Sequence, residues 1–344
     1  MEAFQTFLAS CGALAKPPAE IGPTSNPALL PGLRHACTAA RALGTPTPSA
    51  AIARLFFEAN FQPWRIAPAQ NPPGFLTGYY EPEVDGSPVR TDTFTVPVYG
   101  RPDDLIPTSP PKDSNRGGAQ RKQWGTLVPY YDRGEIEDGA LRGRGLEIAW
   151  LQHPVDLFFM QIQGSARIRL PDGHVLRLNY DGHNGYPYTP VGRLLIQRGL
   201  VPRDEMSMDR IRRFIEQDPE AGRALMRENR SFVFFKAVPL EGDAGALGAE
   251  GVPLTAGRSI AVDRAIHTYG APIFIAADLP LDTADALAPF RQLMIAQDTG
   301  SAIVGPARAD LFFGAGDGPG AVAGRIRHPG AFTLLVPRLA GTNP

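Results

Sequence analysis

The chain has 344 residues, 34 basic and 35 acidic side chains, six histidines and a formal net charge of −1. That balance leaves no basic field to capture nucleic acid, and 43% hydrophobic against 20% charged content excludes a disordered chain. No apolar run approaches the roughly 20 residues of a membrane span.

The length favours two domains, and 37 glycines with 35 prolines point to a turn-rich, largely β architecture. At the N-terminus Phe4, Phe7, Leu8 and Leu14 recur at helical spacing. Leu8-Ala9-Ser10-Cys11 fits a bacterial lipoprotein cleavage box by residue type. No Lys or Arg precedes it, however, and Glu2 and Gln5 interrupt the apolar stretch, so the helix reading is favoured. Segments 28–43 and 49–60 also carry helical periodicity. Cys11 and Cys37 both fall on these helices, as one disulfide or as two buried thiols. Two cysteines and scattered histidines offer no metal-ligand spacing, and neither metal nor cofactor is expected.

Residues 75–80 read as a strand broken by Glu81-Pro82, and 94–100 as another. Segment 101–123 reads as a long surface loop rich in Pro, Gly and charge. A β pattern resumes at Leu146 and includes the apolar run 157–165. Arg167, Arg169, Arg177 and Asn179 alternate with Ile168, Leu170, Leu176 and Leu178 around Pro171-Asp172-Gly173, predicting a hairpin with one wet face. A helix over 189–198 closes at Gly199, Ser207 caps a second, and Pro219 opens a third ending near Asn229. The Phe-rich segment 231–236 is a strand, followed by short β runs at 259–262, 272–276, 292–296, 308–313 and 331–336. Helices between two β regions imply that one β domain is inserted into, or appended to, another.

Asp298-Thr299-Gly300-Ser301-Ala302-Ile303 and, twelve positions later, Asp310-Leu311-Phe312-Phe313-Gly314 set two carboxylates among small and bulky apolar residues. Small residues admit a close approach. On a strand, Asp310 and Phe312 share a face, and an apolar wall raises a carboxyl pKa, as a general acid requires. Asp298 reads equally well as a turn aspartate bonded to its own loop. Asp263 ends a strand, with pairing to Arg264 or another base as its bland account. Asp-Thr-Gly-Ser is also the aspartic-protease pattern, but a protease needs two such aspartates and no second Asp-Thr/Ser-Gly occurs.

Glycoside cleavage also employs carboxylates. Tyr79, Tyr80, Tyr180, Tyr186 and Tyr188, with Thr77, Gln161, Gln163, Ser165, Asn179 and Asn184, supply the flat faces and polar partners of a sugar site. The run 179–186 contains a His and an Asp but no nucleophile elbow, so a turn-rich loop is its simpler account.

Taken in order, FLTGYYEP (75–82), FMQIQGS (159–165), 184–192, Met206-Ser207-Met208, SFVFFK (231–236) and 298–314 resemble the membrane-bound lytic murein transglycosylase A family. The resemblance spans nearly the whole chain after residue 70. It implies a mainly β fold with peripheral helices, a double-psi β-barrel of the barwin and expansin type interrupted by a second inserted β domain. The barrel, with the N-terminal helices, would take 1–83 and 234–344, and the insert 84–233 would form the other wall of the substrate groove. Asp263, Asp298 and Asp310 match the family's three aspartates, with Asp310 as catalytic acid and Asp298 in support. The candidate substrate-binding set is Thr77, Tyr79, Tyr80, Gln161, Gln163, Gly164, Ser165, Tyr188, Asp263, Thr299 and Gly300. Some members carry Asp where this chain has Gln161, and an amide cannot serve as a carboxylate base.

The implied activity is cleavage of the β-1,4 bond between N-acetylmuramic acid and N-acetylglucosamine without water, leaving a 1,6-anhydromuramoyl end. A hydrolase on the same fold, or a non-catalytic expansin-like wall-binding protein, are the alternatives. Peptidoglycan strands are the implied partner of a monomeric chain, with a wall-remodelling complex as a further one. The implied location is the periplasm, at the outer membrane in the native precursor.

Overall fold

The computed structural model describes residues 1–16, 27–66, 74–108, 118–239, 245–282 and 286–338. Part of the expected loop, 109–117, therefore lies outside the described residues. The chain divides into two compact units. Met1–Tyr80, Ala244–Gly314 and Gly318–Pro344 make the first, and Glu81–Asp243 with Ala315–Asp317 the second.

In chain order the strands are β1 (Phe61–Ile66), β2 (Gly74–Glu81), β3 (Glu83–Ser87), β4 (Val96–Tyr99), β5 (Ile106–Pro107), β6 (Ala119–Gln123), β7 (Thr126–Pro129) and β8 (Glu147–Leu151). They continue with β9 (Ser165–Arg169), β10 (Val175–His183), β11 (Val233–Val238), β12 (Ser259–Val262), β13 (Pro272–Leu279), β14 (Ala288–Asp298), β15 (Arg308–Ala315) and β16 (Arg327–Pro337).

The first unit is a closed six-stranded barrel. Its order is β16-β13-β14-β12-β15-β2, and β2 pairs back onto β16 to complete the ring. One pair, β12 with β14, is parallel. Alternate residues such as Ile260, Val262, Ile275, Met294, Ala309 and Leu311 fill one core cluster. β1 adds to the outside of β16. Sequence reading missed it because Gln-Pro-Trp-Arg leaves most of the strand exposed and breaks the alternation. Strands read as five or six residues extend to eight or eleven, because pairing with neighbours continues past the apolar stretch.

Three helices, Glu2–Leu14, Leu30–Ala42 and Ala50–Asn60, pack on this unit. Phe4, Phe7, Phe56, Phe57 and Phe61 form an edge-to-face aromatic cluster. Cys11 and Cys37 are joined in a disulfide with S–S 2.06 Å, which resolves the two readings left by the sequence.

In the second unit a six-stranded sheet runs β11-β10-β9-β3-β8-β4, beside a three-stranded β5-β6-β7 sheet. Two of those short strands lie in the segment read as loop. The apolar run expected to continue the β pattern is instead the helix Pro154–Gln163. Phe158 and Phe159 enter one core cluster while Leu157 and Met160 enter another. Burial on two sides removes the polar face that gives a helix its sequence period. Pro154 opens it and Gly164, at φ +81°, closes it. Helices Met208–Gln217 and Pro219–Glu228 start at the caps Ser207 and Asp218. β11 pairs with β10, so residues 234–238 belong to this unit rather than to the barrel.

The expected wet face of the β9–β10 hairpin is in part dry. Glu81, at 0% exposure, receives Nε and Nη2 of Arg177 at 2.9 and 2.8 Å and Nε of Arg167 at 2.8 Å. The arginine face turns inward because a carboxylate from β2 waits there, a partner too distant in sequence to be read. β10 also runs to His183, converting the first part of the supposed 179–186 loop into strand. No helix among the described residues is long and apolar enough to cross a membrane.

Two stability outcomes follow. Glu81→Ala leaves Arg177 buried without its anion and should cost about 3–5 kcal/mol by chemical denaturation. Replacing Cys11 and Cys37 by serine opens a crosslink spanning 26 residues of sequence and should cost about 2–4 kcal/mol by the same measurement.

Candidate active site

Strand β12 positions the carboxylates. Ala261 pairs with Asp298 of β14 on one side and with Asp310 of β15 on the other. Strands lie about 4.8 Å apart, so two aspartates from distant segments flank one alanine. β2 completes the site beside β15, bringing Thr77 and Tyr79 to bear. Phe312 packs on Tyr79 with ring centroids 5.2 Å apart, on the face that Asp310 shares by strand alternation.

Asp298 is held by three donors. Tyr79 Oη donates to Oδ2 at 2.9 Å, and the Ala249 and Thr299 amides donate to Oδ1 at 2.9 Å each. Burial nevertheless outweighs these hydrogen bonds, and the neighbouring Asp310 charge adds to it. The Asp298 pKa is pushed up to about 6. Asp298 is thus bonded to its own turn, as the turn reading expected, and it is also a carboxyl with a raised pKa.

Asp310 is held differently. Thr77 Oγ1 donates to Oδ1 at 2.7 Å, and Oδ2 has no hydrogen bond among the described residues. Burial raises its pKa, opposed by the nearby Arg308 guanidinium and the Thr77 hydroxyl. Arg308 Nη2 donates to Thr77 Oγ1 at 2.8 Å, so Arg308, Thr77 and Asp310 form a chain. Arg308 also stacks over Phe75, 5.5 Å from its centroid. Sequence reading missed Arg308. The available signal was its place two residues before Asp310, on the same strand face.

The other expected residues of this unit have separate partners. Asp263, 3% exposed, accepts from the Ala265 and Gly305 amides at 3.0 and 2.8 Å, tying the segment after β12 to the loop before β15. Thr299 Oγ1 donates to the Val262 carbonyl at 2.8 Å. Gly300 lies in the turn that bonds Ile303. The half-buried Tyr80 ring rests on Gly320, where any Cβ would approach it to 2.6 Å.

Gln161, Gln163, Gly164, Ser165 and Tyr188 lie in the second unit. Gln161 is 6% exposed; its Nε2 donates to the Val233 carbonyl at 3.0 Å, while its buried Oε1 has no partner among the described residues. Gln163 Nε2 approaches Met208 Sδ at 3.8 Å. Gly164 caps the helix and its carbonyl accepts from the Tyr180 amide, next to the buried Ser165. Burial pushes the Tyr188 hydroxyl up to about 12. Asn184 is fully buried and bonds backbone groups of 131, 230 and 232, a structural post rather than a surface polar group. No described group of three or more His, Cys, Asp or Glu is arranged to hold a metal.

A closed barrel carrying two desolvated carboxyls, one of them with an unengaged oxygen, has the groups that acid–base chemistry needs. Known proteins narrow that class. Residues 75–236 match the MltA specific insert domain and 258–336 match the 3D domain. The chain is 36% identical over 265 residues to membrane-bound lytic murein transglycosylase A of Vibrio cholerae, an alignment covering 74% of this chain and 63% of that protein. The match thus spans less than two thirds of the curated relative. The solved membrane-bound lytic murein transglycosylase from Agrobacterium tumefaciens superposes with a TM-score of 0.86 at 38% identity, covering 97% of this chain and 93% of that one. Escherichia coli MltA, solved with bound chitohexaose, gives a TM-score of 0.71 at 28% identity, covering 98% and 90%. The chain belongs to the membrane-bound lytic murein transglycosylase A family.

Removing one donor should retune the site. In Tyr79→Phe, Asp298 loses a hydrogen bond to its charged form, so its titration midpoint should move upward from about 6. Carbon-detected NMR of the labelled carboxyl checks this.

Proposed function

We propose that the protein is a peptidoglycan lytic transglycosylase that cleaves the β-1,4 bond between N-acetylmuramic acid and N-acetylglucosamine and leaves a 1,6-anhydromuramoyl end. The observation that carries this reading is the asymmetry of the two carboxyls. Asp298 is engaged by three donors, whereas Asp310 keeps one oxygen unengaged and has its proton held on by burial. A single acid suits a reaction in which no water needs activating. Hydrolysis requires a second carboxylate as nucleophile or base, and Asp298 is already engaged.

In the proposed course Asp310 gives its proton to the glycosidic oxygen as the bond to the anomeric carbon breaks. The muramoyl C6 hydroxyl then attacks that carbon, and its proton passes to the Asp310 carboxylate, restoring the acid. The intramolecular attack supplies the effective concentration that a positioned water would otherwise provide. Asp298 contributes negative charge near the developing positive charge on the sugar. Thr77 and Arg308 orient Asp310. Tyr79, Tyr80, Asp263, Thr299 and Gly300 in the first unit, and Gln161, Gln163, Gly164, Ser165 and Tyr188 in the second, are proposed to contact the glycan. The unpartnered Oε1 of Gln161 is an acceptor suited to a sugar hydroxyl or amide.

The chitohexaose bound to the Escherichia coli relative supports a saccharide ligand. We also infer that the barrel is of the double-psi kind, which the parallel β12–β14 pair supports. The proposed division is a catalytic barrel over 1–83 and 234–344, less the β11 residues, with an inserted domain over 84–233. The proposed wall substrate supports a periplasmic location, and we read the protein as a monomer. The relatives' description as membrane-bound supports an outer-membrane association.

Digestion of purified peptidoglycan with product mass spectrometry tests this directly. Anhydro ends, one water lighter than reducing ends, are expected; reducing ends would establish a hydrolase, and no release a binding protein. Asp310→Asn should lower turnover about 10²–10⁴-fold with glycan binding retained. Because Asp310 must be protonated at the start, activity should fall as pH rises through its elevated pKa, and it should also fall as pH drops through about 6, where Asp298 loses the charge assigned to it.

A further inference from the structure

The first unit contains a buried acid that none of the proposed chemistry uses. Glu250 follows Ala249, whose amide donates to Asp298 Oδ1 at 2.9 Å. Its carboxyl meets helix Glu2–Leu14: Ser10 Oγ donates to Oε2 at 2.7 Å, and the buried Oε1 has no partner among the described residues. Burial pushes the Glu250 carboxyl up to about 8, opposed by the Ser10 hydroxyl. Glu250 is therefore mainly neutral at pH 7 and needs no cation beside it. Tyr269 is the titratable group that senses both Glu250 and Asp298, and Tyr79 and Asp310 are the others beside Asp298.

Ser10 is an acceptor as well as a donor. Gln297, the residue before Asp298, donates from Nε2 to Ser10 Oγ at 2.8 Å and to the Thr6 carbonyl at 3.0 Å, while its Oε1 accepts from Ser259 Oγ at 2.5 Å. Ser10, Gln297 and Ser259 are each fully buried. With the polar groups of Ser10 and Gln297 all engaged away from solvent, the network holds one geometry.

The turn that carries Glu250 is pressed against the same strand. The Glu250 amide donates to the Gln297 carbonyl at 3.0 Å, and a Cβ on Gly248 would come within 2.5 Å of that carbonyl. On the helix side, the Cys11–Cys37 disulfide pins the chain one residue beyond Ser10. One serine of helix Glu2–Leu14 thus joins both segments that hold Asp298. One is the end of β14, which carries it, and the other is the 248–250 turn, whose amide favours its charged form.

We propose that Ser10 and Glu250 are positioning residues for Asp298: their hydrogen bond holds the 248–250 turn so that the Ala249 amide stays on the Asp298 carboxylate. The N-terminal helix is then part of the acid–base apparatus and not only a cover for the barrel. The part that Asp298 plays in cleavage rests on the proposed function; its positioning does not. Glu250 acts as a neutral acceptor for Ser10, so an amide in its place should serve equally.

Carbon-detected NMR of the labelled Asp298 carboxyl in the whole chain tests this, recorded beside thermal denaturation and the pH profile of peptidoglycan cleavage. In Ser10→Ala and Glu250→Ala the Asp298 midpoint should rise by roughly one pH unit, because a donor to its charged form is loosened. Glu250→Gln keeps an acceptor for Ser10 and should leave the midpoint at about 6. Alanine suits a helix, so Ser10→Ala carries the test if Glu250→Ala does not fold. A lower melting temperature with an unmoved midpoint in Ser10→Ala overturns the proposal, because packing alone would do that. A Glu250→Gln midpoint raised as far as that of Ser10→Ala overturns it too. The acidic limb of cleavage should move up with the midpoint. If the midpoint moves and the limb does not, the part given to Asp298 in cleavage falls and the positioning stands. If the wild-type protein cleaves no glycan, the lytic reading falls, and the midpoints still decide this proposal.

Discussion

Strand β2 is the constraint on which the first unit depends. It enters the sequence more than 200 residues before β15, yet it closes the ring between β15 and β16. Without it the barrel has open edges, and the two carboxylates lose Thr77 and Tyr79 together. The same strand ends at Glu81, whose carboxylate organises the β9–β10 hairpin of the second unit. Eight consecutive residues thus serve barrel closure, acid positioning and a buried ion triad. A long insertion after β2 is tolerable because the barrel ladder is completed on either side of it.

Two aspartates at one level of a small barrel become different acids because their donors differ. Three hydrogen bonds to Asp298 favour its charged form, and burial opposes them, which leaves the group near pH 6. Asp310 receives one hydroxyl and the field of an arginine that is itself partly desolvated. Mutual repulsion of the two carboxylates helps keep one proton in the site. The arrangement distinguishes the two residues through strand register, two backbone amides and the side chains of Tyr79, Thr77 and Arg308.

The second unit shows how arginines can be structural, electrostatic or both. Arg177 and Arg167 answer one buried carboxylate and are held there. Arg133, equally buried, spends its donors on the carbonyls of Asn229 and Ser231 and faces Glu137 with its remaining end. Counting arginines along the chain would not separate these cases, because only the location of the anions does.

Much of the architecture was legible in the chain itself. The strands after residue 258, the Ser207, Pro219 and Gly199 helix signals, the hairpin at 171–173 and the pairing of Asp310 with Phe312 on one face all follow from periodicity and turn chemistry, which act over a few residues. The 298–314 segment likewise carried its two aspartates in plain view. Tertiary structure decided the rest. It buried helix Pro154–Gln163 on two sides and erased its amphipathic period, and it turned the hairpin arginines inward toward Glu81. It joined Cys11 to Cys37, drew Arg308 into the site through Thr77, and gave Asp298 and Asp310 unequal donors. Each of those outcomes depends on a partner tens to hundreds of residues away, and local sequence holds no record of which distant group will arrive.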